Sequence, residues 1–127
     1  MEKTIDYVPG VCNINHAEIA YRRKAGYVGL IITLVLFVVL YALNLNQWFR
    51  IVLFVPAFVA AIGYLQAKNK FCVAYGANGK QNASEESKGA SAVTDKAAIV
   101  RDKIKARSMN LQATVIALGI ALLACLV

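Results

Sequence analysis

Charge is missing from long stretches of this chain. No Asp, Glu, Lys or Arg occurs in residues 25–49, 51–67 or 108–127. Proton relays and ion-coupled carriers place ionisable side chains inside the bilayer, so this pattern argues against both. Cysteine is scarce as well. Three cysteines without a CxxC pair do not make a disulfide framework or a four-ligand zinc site. Gly76-Ala77-Asn78-Gly79-Lys80 lacks the spacing of a phosphate-binding P-loop. The basic residues are not interleaved with aromatics in a foldable soluble module, which argues against nucleic acid as a partner. No cofactor and no metal are expected.

What the chain has in abundance is apolar sequence. Of its 127 residues, 59% are hydrophobic and only 17% are charged, against about a quarter charged in ordinary soluble domains. The mean hydropathy is +0.56. Crossing the hydrocarbon takes about 20 apolar helical residues. Three blocks meet or approach that length, at about 26–45, 50–67 and 110–127. The expected fold is therefore all-α and integral to the membrane, with three transmembrane helices. The first 25 residues are polar, so the first block reads as an uncleaved anchor rather than a signal sequence.

Lysine and arginine set the expected orientation. Four precede the first block (Lys3, Arg22, Arg23 and Lys24), Arg50 alone lies between the first and second, and nine lie between the second and third. The first and third groups must share a side, so the N-terminus is expected in the cytoplasm and the C-terminus outside. A bacterial inner membrane is the expected location. The net charge of +7 is then mostly a topology signal.

Three segments organise the chain: 1–79, an N-terminal segment plus transmembrane hairpin; 80–93, a flexible linker rich in Gly, Ser and Asn; and 94–127, an amphipathic helix leading into the third span. Pro9-Gly10 signals a turn. Asn13 or Asn15 is expected to cap an N-terminal helix, interfacial or continuous with the first span, with Ile14, Ala17, Tyr21, Ala25 and Val28 on its apolar stripe and Glu18–Arg22 as an i,i+4 ion pair. Asn44–Phe49 reads as a tight outer turn that forces a hairpin. Tyr41, Trp48 and Phe49 suit the outer interface, and Tyr27, Tyr64 and Phe71 the inner one. Pro56 is expected to kink the second span and to pack on protein.

Thr94 or Asp95 is expected to cap a basic surface helix over about 94–109. Its thin apolar stripe is Ala97, Val100, Ile104 and Leu111. Lys96, Arg101, Lys103, Lys105 and Arg107 are the candidate groups for docking on anionic lipid or an acidic partner. Small residues mark helix packing: Ala113, Ala117, Ala121 and Cys125 in the third span, Ala57 and Ala61 in the second, and Ala25 and Gly29 in the first.

Cys72 and Cys12 are the candidate reactive thiols. Cys12 and His16 stand four apart, and the hairpin returns Cys72 to the same membrane surface. Lys68 and Lys70 are the expected sources of positive charge beside Cys72. The rival expectation is that Cys72 is a small apolar residue at a helix end.

Residues 13–79 also carry a family pattern. Asn13–Gly29, NINHAEIAYRRKAGYVG, is followed by a span, a short turn, a second span and FCVAYG. This resembles the YgaP-type small inner-membrane domain, which has Asn and basic residues before its first helix and a Cys-Pro-x-Tyr-like motif after its second. The resemblance implies Cys72, Tyr75 and Gly76 as motif positions, a cytoplasmic-face cysteine, and sulfur or thiol handling. Val73 stands where the family usually has Pro, no rhodanese domain is present, and 80–127 falls outside the pattern.

These readings rank three functions. The first is a small non-catalytic accessory or scaffold subunit of a larger membrane complex. The second is a thiol- or sulfur-handling membrane protein using Cys72. The third is a homo-oligomeric channel or exporter.

Overall fold

The computed structural model of the protein describes residues 6–84 and 89–127. Lys3 and Lys88, which enter the orientation argument, and residues 85–88 of the expected linker lie outside the described residues. Four α-helices are joined by one 3-10 helix and a two-stranded ribbon: α1 His16–Ala42, the 3-10 helix Gln47–Leu53, α2 Phe54–Asn69, α3 Val73–Ala77, β1 Lys80–Gln81, β2 Ser91–Ala92 and α4 Lys96–Leu126. Three helical stretches, His16–Ala42, Gln47–Asn69 and Lys96–Leu126, are long and apolar enough to cross a membrane. The chain thus has the makings of a multi-pass membrane protein.

The first helix has no break between an interfacial part and a span. α1 runs unbroken from His16 to Ala42, because nothing between Arg22 and Gly29 interrupts its hydrogen bonds. Asn15, rather than Asn13, caps it by accepting from the Glu18 N–H at 3.0 Å. The Glu18–Arg22 pair forms at 2.9 Å. The buried side of α1 is Ile19, Gly26, Gly29 and Thr33. The expected stripe through Tyr21 and Val28 faces outward instead, with both residues exposed.

Glycine explains that choice of face. A Cβ on Gly63 would lie 2.6 Å from the Gly26 backbone nitrogen, and one on Gly29 would lie 2.7 Å from the Ala60 nitrogen. Backbones of α1 and α2 touch there, and no bulkier residue fits. The hairpin is held by this contact, with the Thr33 hydroxyl bonded back to the Gly29 carbonyl at 2.7 Å.

Pro56 falls near the middle of the helical stretch Gln47–Asn69, just where its backbone changes from 3-10 to α geometry. The chain leaves the short link after α1 as a 3-10 helix, and α2 begins only at Phe54. Pro56 therefore sits in the first α turn, directly after 3-10 turns, and its missing N–H falls at the change of helix type. It is buried, and its carbonyl lies 3.0 Å from where a Gly29 Cβ would be.

α4 is one 31-residue helix, capped by Asp95, which accepts from the Ala97 N–H at 3.1 Å. Its buried stripe is Ala98, Asp102, Ala106, Met109, Ala113, Ala117, Ala121, Ala124 and Cys125. The stripe expected for its first half was the opposite one. Val100 is 55% exposed and Ile104 is 64% exposed. α2 packs against both α1 and α4, and Ala61, Leu65, Phe71, Ala106, Met109 and Ala113 form one core. Phe71, expected at the inner interface, is completely buried. Gly76 makes room for it, since a Cβ there would lie 2.6 Å from the Phe71 ring.

The expected linker is built into the fold at both ends. Lys80–Gln81 pairs antiparallel with Ser91–Ala92. Asn82 bridges to Ile14, and both Asn82 and Ala83 are buried. Gly79 turns the chain with φ +68°, a conformation that suits glycine.

Candidate functional site

The polar end of the bundle gathers residues 6–16, the end of α2, α3, the ribbon and the start of α4. Cys72 lies at its centre and is 2% exposed. Asn13 holds the cysteine's backbone from both sides. The Cys72 N–H donates to Asn13 Oδ1 at 2.6 Å, and Asn13 Nδ2 donates to the Cys72 carbonyl at 3.2 Å. The Asn13 backbone is tied in turn, its N–H to the Lys70 carbonyl at 3.0 Å and its carbonyl to the Asn82 N–H at 2.7 Å. Asn13, by its side chain and backbone together, thus joins the N-terminal segment, the exit of α2 and the ribbon.

The sulfur has a cationic neighbour that the sequence reading did not name. Arg22 Nη2 donates to Cys72 Sγ at 3.3 Å and to Glu18 Oε2 at 2.9 Å. Lys68 and Lys70, the expected sources of charge, are exposed. The missed signal was positional: Arg22 is one turn beyond Glu18 and on the same side of α1 as Gly26 and Gly29. Tyr75 packs against the same cluster. Burial first, and the Glu18 carboxylate next, push its phenol above the ordinary value, with Arg22 acting the other way.

Cys12 packs against the cluster that contains Cys72. Its thiol donates to the Asp6 carbonyl at 2.9 Å, and all three cysteines are free thiols. Among the described residues, no three His, Cys, Asp or Glu side chains gather to hold a metal.

A second polar node lies beside it. Asp102 is fully buried and clasps the N-terminal segment to α4. Its carboxylate accepts from the Tyr7 hydroxyl at 2.5 Å and from the Gly10 N–H at 2.7 Å. Gly10, with φ +73°, closes the turn that brings its N–H to the carboxylate. Burial, and then the hydrogen bond to Asp102, raise the Tyr7 phenol well above its ordinary value. Asp102 was overlooked because it was read as part of a solvated basic helix. The clue was its place four residues after Ala98 and four before Ala106.

The far end of the bundle has its own buried polar residue. Arg50 is 7% exposed, and its Nη1 donates to the Ala124 carbonyl at 2.9 Å. Its guanidinium lies 5.9 Å from the Phe37 ring centroid and 5.4 Å from that of Tyr41. It caps the last turn of α4, where carbonyls lack helical partners and a cation is favoured.

The remaining sequence candidates fall into two groups. Ala57, Ala61, Ala113, Ala117, Ala121 and Cys125 are all buried against other helices of the same chain. Lys96, Arg101, Lys103 and Arg107 are exposed, while Lys105 is half-buried and donates to Asn69 Oδ1 at 3.2 Å. A cavity of about 400 Å³ opens between α1, α2 and α4, with mostly apolar walls. Comparison with family models, curated proteins and solved structures yields no match to this chain.

Proposed function

We propose that this protein is a small non-catalytic membrane subunit, an accessory or scaffold element of a larger complex. The observation that carries this reading is where the buried polar side chains point. Asn13, Arg50 and Asp102 each bond to the chain's own backbone. Groups committed in this way hold a shape, and they are not aimed at a substrate. The small-residue faces serve packing within the chain, so the surface left for a partner is the basic outer side of α4, with Lys96, Arg101, Lys103 and Arg107. An inner-membrane location with the N-terminus in the cytoplasm, from the distribution of lysine and arginine, would place that surface in the cytoplasm.

The test is purification of the full chain in a mild detergent followed by native mass measurement. A defined complex that R101Q/R107Q disrupts is the expected result. A lone monomer with no co-purifying protein would overturn the reading.

One contact favours a second reading, a thiol role for Cys72. Positive charge beside sulfur is what nucleophilic cysteines use, and Arg22 supplies it at 3.3 Å. The burial of the sulfur opposes this, since an electrophile must reach it. Maleimide labelling in the native state discriminates. The scaffold reading expects Cys12 to label well before Cys72, and faster labelling at Cys72 would favour the thiol role.

A further inference from the structure

The cavity between the three long helices has a floor, two walls and a charged mouth. Its floor is the thin face of α2, where half-buried Ala60 borders the space and Ala57 and Ala61 lie deeper, largely covered by the neighbouring helices. Leu30 of α1 and Ile116 and Ile120 of α4 form the walls. Arg23 and Lys68 stand at one end, on the antiparallel helices α1 and α2, at the same end as the polar node. Tyr27 and Tyr64 lie just below them. Among the described residues no carboxylate pairs with either cation, whereas the adjacent Arg22 is paired with Glu18.

The depth of this trough is informative. The helical rise from Lys68 to Ala57 is about 16 Å, and one leaflet's share of the hydrocarbon is about 15 Å. The trough therefore runs from one membrane surface to near the midplane, with tyrosines at the headgroup level and Arg23 and Lys68 above them, the Lys68 ammonium 5.9 Å from the Tyr64 ring centroid. We infer that it holds one anionic phospholipid, with an acyl chain along the alanine floor and the headgroup phosphate between Arg23 and Lys68. A soluble phosphate has no use for the apolar floor. A second copy of this chain would bring Arg23 and Lys68 against cations of the same kind, because the surface near them is basic. This inference rests on membrane insertion and not on the subunit reading.

The experiment is native mass spectrometry of the full chain released from detergent, incubated with equal amounts of phosphatidylglycerol and phosphatidylcholine. The wild type is expected to retain one lipid, with phosphatidylglycerol favoured about thirtyfold, the order expected for two cations facing an anionic headgroup. R23Q/K68Q, which changes two exposed side chains, should bring that preference close to one while still retaining lipid. A60L, which fills the floor, should lower retention of both lipids. K80Q, which changes an exposed cation of the ribbon outside the trough, should keep the wild-type preference. Equal uptake of the two lipids by the wild type would overturn the inference, as would an unchanged preference in R23Q/K68Q. A lipid-free dimer as the main wild-type species would overturn it too.

Discussion

The two ends of α4 are held by opposite means. From Met109 to Cys125 its buried face is mainly alanine, and helices meet there mainly by shape, with the Arg50 bond to the Ala124 carbonyl closing the last turn. Around Asp102 it is held by hydrogen bonds to Tyr7 and Gly10, residues more than ninety positions away in sequence. In a bilayer, lipid is as apolar as a leucine, so close packing of small residues is what favours helix association. Near the membrane surface water competes for every polar group, and a buried carboxylate is tolerable only when donors surround it. One helix therefore carries two recognition chemistries along a single face, changing at about Met109.

The largest effect should come from breaking the same kind of shape-based packing where α1 meets α2. Gly63→Leu drives a side chain into the Gly26 backbone, where even a Cβ would lie 2.6 Å away. Overpacking usually costs about 1–3 kcal/mol, and a backbone neighbour cannot move aside, so the hairpin should separate. Expected outcomes are loss of the monodisperse species on size exclusion in detergent and a fall in thermal midpoint. Gly119→Leu is the control. A Cβ at Gly119 meets nothing within 4 Å, so that variant should match the wild type.

Arg50→Ala comes next. It removes the donor to the Ala124 carbonyl and the stacking on Phe37 and Tyr41. A hydrogen bond to a charged group contributes about 1.5–3 kcal/mol. Faster amide exchange should appear in the last turn of α4 and leave Lys96–Ala106 unchanged. Exchange rising evenly along α4 would show that Arg50 is not a local cap. Asp102→Ala should have a smaller and oppositely placed effect. It frees Tyr7 and Gly10, so proteolysis should quicken within the first dozen residues while the long helices stay protected.

The contrast between the two halves also explains what was legible in the sequence. The spans, the hairpin and the alanine repeat were readable because each is a local pattern with a fixed period. Choosing a face needs the neighbour. Val100 and Ile104 form a stripe at helical spacing as good as that of Ala98, Asp102 and Ala106, and only the strap through Tyr7 and Gly10 decides between them. Phe71 looked like an interface aromatic because nothing in its surroundings announces that Gly76 opens a slot for its ring. Arg22 was visible as the partner of Glu18, but its reach to Cys72 depends on Gly26, Gly29 and Gly63 drawing α1 and α2 together. Pro56 could be read as buried within the second span, but the apolar run carries no mark of where 3-10 geometry gives way to α at Phe54.

The smallest effect is one of pH. Folding raises the Tyr7 phenol, through burial first, then its hydrogen bond to Asp102 and the negative charges of Asp102 and Asp95. A free tyrosine loses its proton near pH 10. Below that value both the clasped and released forms keep the proton, and the clasp contributes its full stability. As the pH climbs past 10 the released form ionises first, so the stabilisation drains away and is gone once the pH passes the raised value of the clasped form. Proteolytic release of the N-terminal segment should therefore accelerate between pH 9 and 11 in the wild type. Tyr7→Phe should be cut faster at pH 8, because Asp102 loses a donor, yet show little further rise up to pH 11. Parallel pH curves for the two proteins would mean that the Tyr7 proton does not govern the clasp and that Gly10 alone holds Asp102.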